Sequence, residues 1–475
     1  MKTFWRKLGA SRTERTVRAL LLLVVFLLPI GSVLILSEAR SEVAGARNSF
    51  AVPVLYAIEL LIVAAALLWA RLRPRTDGSN QGPNQGPNGT SGLYMPLLGL
   101  IGLAAAATLW APWPFLAGIG LVHLFVAFLF VYVLAHEFRD RAFFEKALWT
   151  LTAGAAIQAV WGIGQFLMQR DFGFWWLGES DIAPGRAGVA KFVADGDTYV
   201  RAYGSLPHPN LLAAYLSAAA FWVGTVVFWK DGDGKGRKNR RHWLTKLGYV
   251  LLLGLLNAGL LVTFSRVAIV ATLVGGALVA LFSWRRWKRL PWPAAVGALV
   301  TLVVALALTP YWQGRTVVES ARETGVSNRT VGYGQAAKII PDQPLGVGAG
   351  NFVLAARSLD PGRPAYQYQP VHAVPLLVLT ELGLLGGAML LWFAVRLGRR
   401  FHDGTRLGAS NDRRQRSIGF TLFTLTGVFT LMSLTDHFFW SLPQGMLLGG
   451  VLVAALIATA SADRRTNPTR TRRRS

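Results

Sequence analysis

Apolar residues in this chain gather into twelve stretches of nearly membrane-spanning length, separated by polar joints rich in glycine, proline and charge. The stretches run over roughly 17–36, 52–69, 93–111, 115–135, 147–168, 211–229, 247–263, 267–284, 292–309, 371–395, 418–435 and 441–460. Each lies near the ~20 residues that cross a bilayer as an α-helix. The pattern predicts an all-α polytopic membrane protein of about 12 transmembrane helices, with its largest loop between helices 9 and 10. The first stretch follows a basic N-terminus but is too long for a signal peptide and has no small-residue cleavage pattern after it, so it reads as an uncleaved anchor.

Charge gives these helices a direction. With the N-terminus inside, roughly 36 of the 49 lysines and arginines fall on cytoplasmic segments, as the retention of positive loops requires. Both termini are then cytoplasmic. The same bias accounts for the net charge of +25 without nucleic acid: Lys235–Arg241, Arg285–Arg289, Arg399–Arg416 and Arg470–Arg474 read as anchors for anionic headgroups, and no nucleic-acid motif accompanies them. Cysteine is absent, which excludes disulfides, thiolate nucleophiles and cysteine metal sites.

Four segments leave the membrane at length. Two are inside: residues 71–92, with the near-repeat GSNQGPNQGPNGTSG, and the basic Lys230–Lys246 loop. Both read as flexible polar linkers that pack no core. The two outer segments carry aromatic, acidic and glycine residues instead. The first is Gln169–Asn210 and the second Pro310–Pro370, long enough that function or substructure is expected. Within the second, Ser327–Ile340 predicts a short amphipathic helix capped by Ser327 or Asn328 and stopped by Pro341. The glycines at 346, 348 and 350 lack the strand and the Lys-Ser/Thr of a nucleotide fingerprint, so a tight turn against the membrane domain is expected there.

The outer face also holds the unusual polar residues. Arg201, His208 and Asn210 precede span six in RAYGSLPHPN; they either line a polar cavity or form a proline-restricted turn with Asn210 as helix cap. Arg266 closes the four-residue turn TFSR between spans seven and eight, either snorkelling to headgroups or facing an anion, for which its planar fork is suited. Arg329 heads the amphipathic segment. His372 starts span ten, where a helix N-terminus disfavours imidazolium and keeps a general base neutral. Glu381 follows about 13 Å further down the helix at 1.5 Å per residue, either as a functional intramembrane acid or as a packing contact. Asp436 and His437, between spans eleven and twelve, are expected to be solvated. Phe172, Phe174, Trp175, Trp176, Tyr199, Tyr203, Tyr311, Trp312, Tyr366 and Tyr368 are candidate sugar platforms or ordinary interfacial aromatics.

Together GSLPHPNLLAAYL at 204–216, TFSR at 263–266, the segment from Arg329 to DQPLGVGAGNF at 342–352, and HAVPLLVLTELGLLG at 372–386 resemble the bacterial O-antigen ligase and O-antigen polymerase superfamily, which includes protein O-oligosaccharyltransferases. The resemblance covers about 201–390. It implies a glycosyltransferase of C-type (GT-C-like) architecture in the plasma, or inner, membrane. Such an enzyme takes glycan from a polyprenyl-pyrophosphate carrier to an acceptor hydroxyl on a glycan, glycolipid or protein, outside the cytoplasm, with inversion and without metal or cofactor. On it, Arg266 and Arg329 hold the pyrophosphate and His372 is the general base; Arg201, His208, Asn210 and Glu381 are the further candidates for substrate contact. Two positions depart from the family's pattern: Ala373 follows the histidine where Asn is common, and Tyr333 is the nearest aromatic where a Trp is common. The organisation expected is helices 1–5 over 1–200, a ligase-like core over 201–395, and the last two helices with a basic tail over 396–475. The rival reading is a twelve-helix transporter or lipid-linked oligosaccharide flippase. Two matching halves are expected of that class, and the first half of this chain has no equal of the large loop.

Overall fold

The computed structural model describes residues 12–72, 91–186, 188–230, 240–287, 292–314, 324–405 and 413–466. Most of the 71–92 linker, much of the Lys230–Lys246 loop and several of the basic clusters therefore lie outside the described residues.

A helix occupies each of the twelve apolar stretches. In chain order they are α1 (Arg12–Leu27), α2 (Ala57–Leu72), α3 (Tyr94–Ala107), α4 (Pro114–Glu137), α5 (Arg141–Met168), α6 (Pro209–Lys230), α7 (Arg240–Val262), α8 (Arg266–Trp287) and α9 (Trp292–Ala307). The rest are α10 (Thr309–Gln313), α11 (Thr324–Asp342), α12 (Phe352–Leu359), α13 (Val374–Thr405), α14 (Arg413–Thr435), α15 (Phe438–Ser441) and α16 (Pro443–Thr466), of which the four α10, α11, α12 and α15 lie between the apolar stretches. Among the described residues seven helices are long and apolar enough to cross a membrane, the spans within α4, α5, α6, α7, α8, α13 and α14. α3, α9 and α16 contribute shorter apolar helices.

The largest departure from the expected pattern is at the start. The helix of the first stretch ends at Leu27, well before 36, because Pro29 and Gly31 interrupt it. Residues 28–56 become a loop holding two antiparallel hairpins, β1 (Val33–Ile35) with β4 (Val54–Tyr56) and, nested inside, β2 (Glu42–Val43) with β3 (Ala46–Arg47). A third hairpin, β5 (Lys191–Ala194) with β6 (Asp197–Val200), lies in the Gln169–Asn210 loop. The fold is thus mostly helical with small strand pieces, rather than purely helical.

Helix packing builds one main core: α4 against α16, α6 against α7, α5 against α7, α8 against α14, and α1 against α2. A second cluster joins α3, α11, α12 and α13. Arg18 marks one end of the bundle, where its guanidinium donates to Glu137 and Asp140, each at 2.7 Å. The opposite end gathers the loops, and Ser205 there donates to the carbonyl of Pro29 at 2.9 Å.

The Pro310–Pro370 loop is largely structured. Its helix α11 is longer at both ends than 327–340 and takes Pro341 into its last turn. The glycines that follow make the expected tight turn. Gly346, Gly348 and Gly350 all have positive φ, and a Cβ at Gly346 would meet the backbone nitrogen of Gly383 at 2.4 Å. Gly383 itself has φ 68° and ψ −168°, so α13 is broken there instead of running straight from its start. The exposed peptide groups pair across the crossing: Val347 donates to Thr380, Gly348 to Glu381, and Leu384 to Pro344.

Candidate functional site

At the loop end of the bundle, Arg201, Asn210, Ser265, Arg266, Arg329 and Asp436 line one open cleft, with Phe264 and Met432 among its apolar walls. Four separate segments supply these side chains.

The RAYGSLPHPN segment is held by two buried glutamines of α5. Gln158 donates to Ser205 Oγ at 2.9 Å and accepts from the Ser205 amide at 2.8 Å. Gln165 accepts from the amides of Tyr203 and Gly204 at 3.1 and 2.8 Å. They satisfy backbone groups that would otherwise be buried unpaired at the turn. Gly204 is required where φ is +62°, since a Cβ would press on the Gln158 carbonyl oxygen. Two glutamines seven residues apart on an apolar helix are a readable signal that the sequence reading passed over.

Arg201 is buried, with Nε donating to the Thr263 carbonyl and Nη2 to Asn210 Oδ1, each at 2.7 Å. Burial pushes its guanidinium down to about 10; Tyr203 and Asp436 oppose that, while Arg329 and Arg266 reinforce it. It remains charged at neutral pH. The mutual repulsion of these three arginines is what an anionic ligand would relieve.

Arg266 begins α8 directly after a strained turn. Phe264 has φ 48°, a region costly for a bulky residue, yet its ring is fully buried against Phe166, Phe192 and Trp312. That aromatic packing keeps the turn tight and leaves Arg266 exposed at the cleft. Arg329 reaches the same cleft from α11, and Tyr333, one turn along, makes a long 3.4 Å hydrogen bond to the His372 carbonyl.

Asp436 and His437 are buried, contrary to the solvated expectation. Phe50 of the 28–56 loop packs edge-on to His437, at 5.3 Å between ring centroids. Asp436 accepts from Asn210 Nδ2 at 2.5 Å and from the His437 amide at 2.7 Å. Burial works against its charge, but the neighbouring His437, His208 and His372 together with Asn210 hold the carboxyl below the usual range, so it is ionised. Burial lowers His437 to about 4 and His208 to about 3, against the pull of Asp436. His372 is lowered too, by burial first and by Arg329. All three imidazoles are therefore neutral near pH 7.

His372 is not among the residues lining the cleft; its ring is 5.0 Å from that of His437, and it lies close to Asp436. His208 likewise lies beside the cleft, Nδ1 accepting from the Asn210 amide at 3.1 Å. Glu381 is elsewhere: its carboxylate accepts from Trp440 Nε1 at 2.8 Å and from backbone N–H groups of Gly350 and Phe352, beneath the glycine crossing. Of the aromatic candidates, Tyr203 and Tyr368 are buried and Tyr199, Tyr311 and Trp312 pack around Phe264's cluster, whereas Phe172, Phe174, Trp175, Trp176 and Tyr366 are exposed. Among the described residues, one side-chain group has ligand atoms close enough to hold a metal: those of His372, Asp436 and His437 lie within 4.8 Å of one another.

Residues 248–391 match a family model described as O-antigen ligase. The match includes Arg266, Arg329, His372 and Glu381, and stops short of Arg201, His208, Asn210 and the Asp436–His437 pair. No curated protein matches the chain.

Proposed function

Starting from a chain that belongs, through residues 248–391, to the O-antigen ligase family, we propose a membrane glycosyltransferase that moves glycan from a polyprenyl-pyrophosphate carrier to an acceptor hydroxyl on the extracytoplasmic face. The carrying observation is the convergence of Arg201, Arg266 and Arg329 on one cleft beside Asp436 and His372. Three guanidinium groups at one cleft suit a pyrophosphate: Arg266 and Arg329 each offer a planar fork to phosphate oxygens, while Arg201, whose Nε and Nη2 are engaged by Thr263 and Asn210, adds positive charge.

On this reading the arginines bind the diphosphate and stabilise the negative charge that develops on it as the anomeric C–O bond breaks, the role a metal fills elsewhere. The acceptor hydroxyl oxygen attacks the anomeric carbon from the opposite face, which inverts its configuration, and its proton passes to the neutral His372 ring. Ionised Asp436 then stabilises the imidazolium. Asn210 links Arg201 to Asp436 through hydrogen bonds at 2.7 and 2.5 Å, so the donor and base halves of the site share one rigid connection. His208 borders that connection, and Glu381 supports the architecture rather than contacting substrate.

The test is transfer by purified protein in nanodiscs, using a polyprenyl-pyrophosphate oligosaccharide and a panel of glycan and peptide acceptors, with and without chelator. Glycan on one acceptor with wild type and none with His372→Ala supports the reading, and the product separates ligation from polymerisation. Full transfer by His372→Ala would remove the proposed base.

A further inference from the structure

Three of the chain's seven histidines, His208, His372 and His437, meet beside one carboxylate although they come from three distant segments. We propose that His372, Asp436 and His437 form a binding site for a borderline divalent cation such as Zn²⁺, and that its occupancy shuts off transfer by taking the lone pair of His372. The inhibitory half rests on the function proposed above; the binding half does not.

Two imidazoles and a carboxylate are the ligand types that zinc prefers, and three protein ligands leave a further position open. The ligand atoms lie within 4.8 Å of one another, with His437 Nε2 4.0 Å from Asp436 Oδ1. Tetrahedral ligands at zinc stand about 3.4 Å apart for bonds of 2.0–2.1 Å, so closing the site requires side-chain movements of roughly 1 Å and no backbone change. The surroundings orient the ligands as metal sites do. Ser441 Oγ holds His437 Nδ1 at 2.5 Å, which turns Nε2 toward Asp436. Asn210 and the His437 amide fix the carboxylate. His208 stands outside the trio, its Nδ1 engaged by the Asn210 amide. Arg201 and Arg329 oppose a cation here, so binding is weaker than at a structural zinc site, and bound diphosphate would strengthen it.

Zn²⁺ is titrated calorimetrically into tag-free full-length protein in nanodiscs, and transfer is measured in parallel. One saturable Zn²⁺ per chain is expected, unaffected by excess Mg²⁺, lost in His437→Ala, and weakened about 10–100-fold by Ser441→Ala, which removes only the orienting hydroxyl. His123→Ala, remote from the trio, should leave binding unchanged. Zinc should abolish transfer and EDTA restore it. Absence of stoichiometric binding to wild type, or binding that both His437→Ala and His372→Ala leave intact, overturns the site. Saturation without loss of transfer overturns the inhibition, and no transfer in any condition overturns the transferase reading while leaving the binding result standing.

Discussion

Arg266 and Arg329 reach the cleft from different elements, one after a strained turn and one from a loop helix. If both grip diphosphate through paired hydrogen bonds, lysine at either position keeps the charge and loses the fork. Turnover should fall about 10²–10³-fold, the range for removing one donor that acts on developing charge; wild-type rates in both variants would exclude them from the mechanism. His372→Ala should lower turnover about 10²–10⁴-fold while leaving donor affinity nearly unchanged, measured by equilibrium binding. The two arginines and this histidine were readable in the sequence because each is an anomaly: a cation or a base at a boundary that charge counting marks as poor in cations. Asp436 and His437 were not. A polar turn between two helices is solvated by default, and it is burial by distant segments, with Phe50 and His372 against His437 and Asn210 on Asp436, that changes their chemistry.

Among the elements, the crossing of the glycine loop with the broken helix α13 organises the site from behind. α11 carries Arg329 into it, His372 lies two residues before α13, and Trp440 on α15, next to Asp436 and His437 in the chain, is tied to Glu381. Trp440→Phe keeps most of the ring packing but leaves a buried carboxylate short of a donor, which should cost about 1–3 kcal/mol as read by thermal unfolding in nanodiscs. An unchanged melting temperature would show that the backbone N–H groups suffice. Gly383→Ala should be worse, since its φ of 68° and the carbonyl of Pro344 at 2.4 Å both refuse a Cβ. Helix positions were legible from apolar runs, and the tight glycine turn from its spacing. The break in α13 was not, because a single glycine in an apolar run does not announce a conformation that its distant partner strand of loop imposes.

For the molecule as a whole, pH and sidedness give the clearest tests. Unfolded chain takes up protons at His208 and His437 near pH 6.5, whereas the folded protein does so only near 3 and 4. The unfolded state therefore binds more protons throughout that window, so stability is complete above about pH 6.5 and falls on acidification. The slope is at most about 1.4 kcal/mol per histidine per pH unit, and the depressed carboxyl of Asp436 adds a loss of the same sign at lower pH. A melting temperature that stays level from pH 7.5 to 5 would contradict this burial. The absence of cysteine makes topology directly testable: in whole cells Asp197→Cys on the β5–β6 hairpin should react with an impermeant maleimide, and Arg139→Cys at the Arg18 end should not. The reverse pattern would invert the orientation.

By itself the sequence determined that this is a helical membrane protein, where its helices fall, and which cations and bases stand out as candidates, because hydrophobic runs and misplaced charges are local properties. Tertiary structure alone decided that the first apolar stretch ends early at Pro29 and Gly31, that Glu381 serves Trp440 and backbone amides, and that Asn210 and Asp436, 226 residues apart, share a hydrogen bond. Burial and convergence depend on which distant segments cover a residue, and no local pattern encodes that cover.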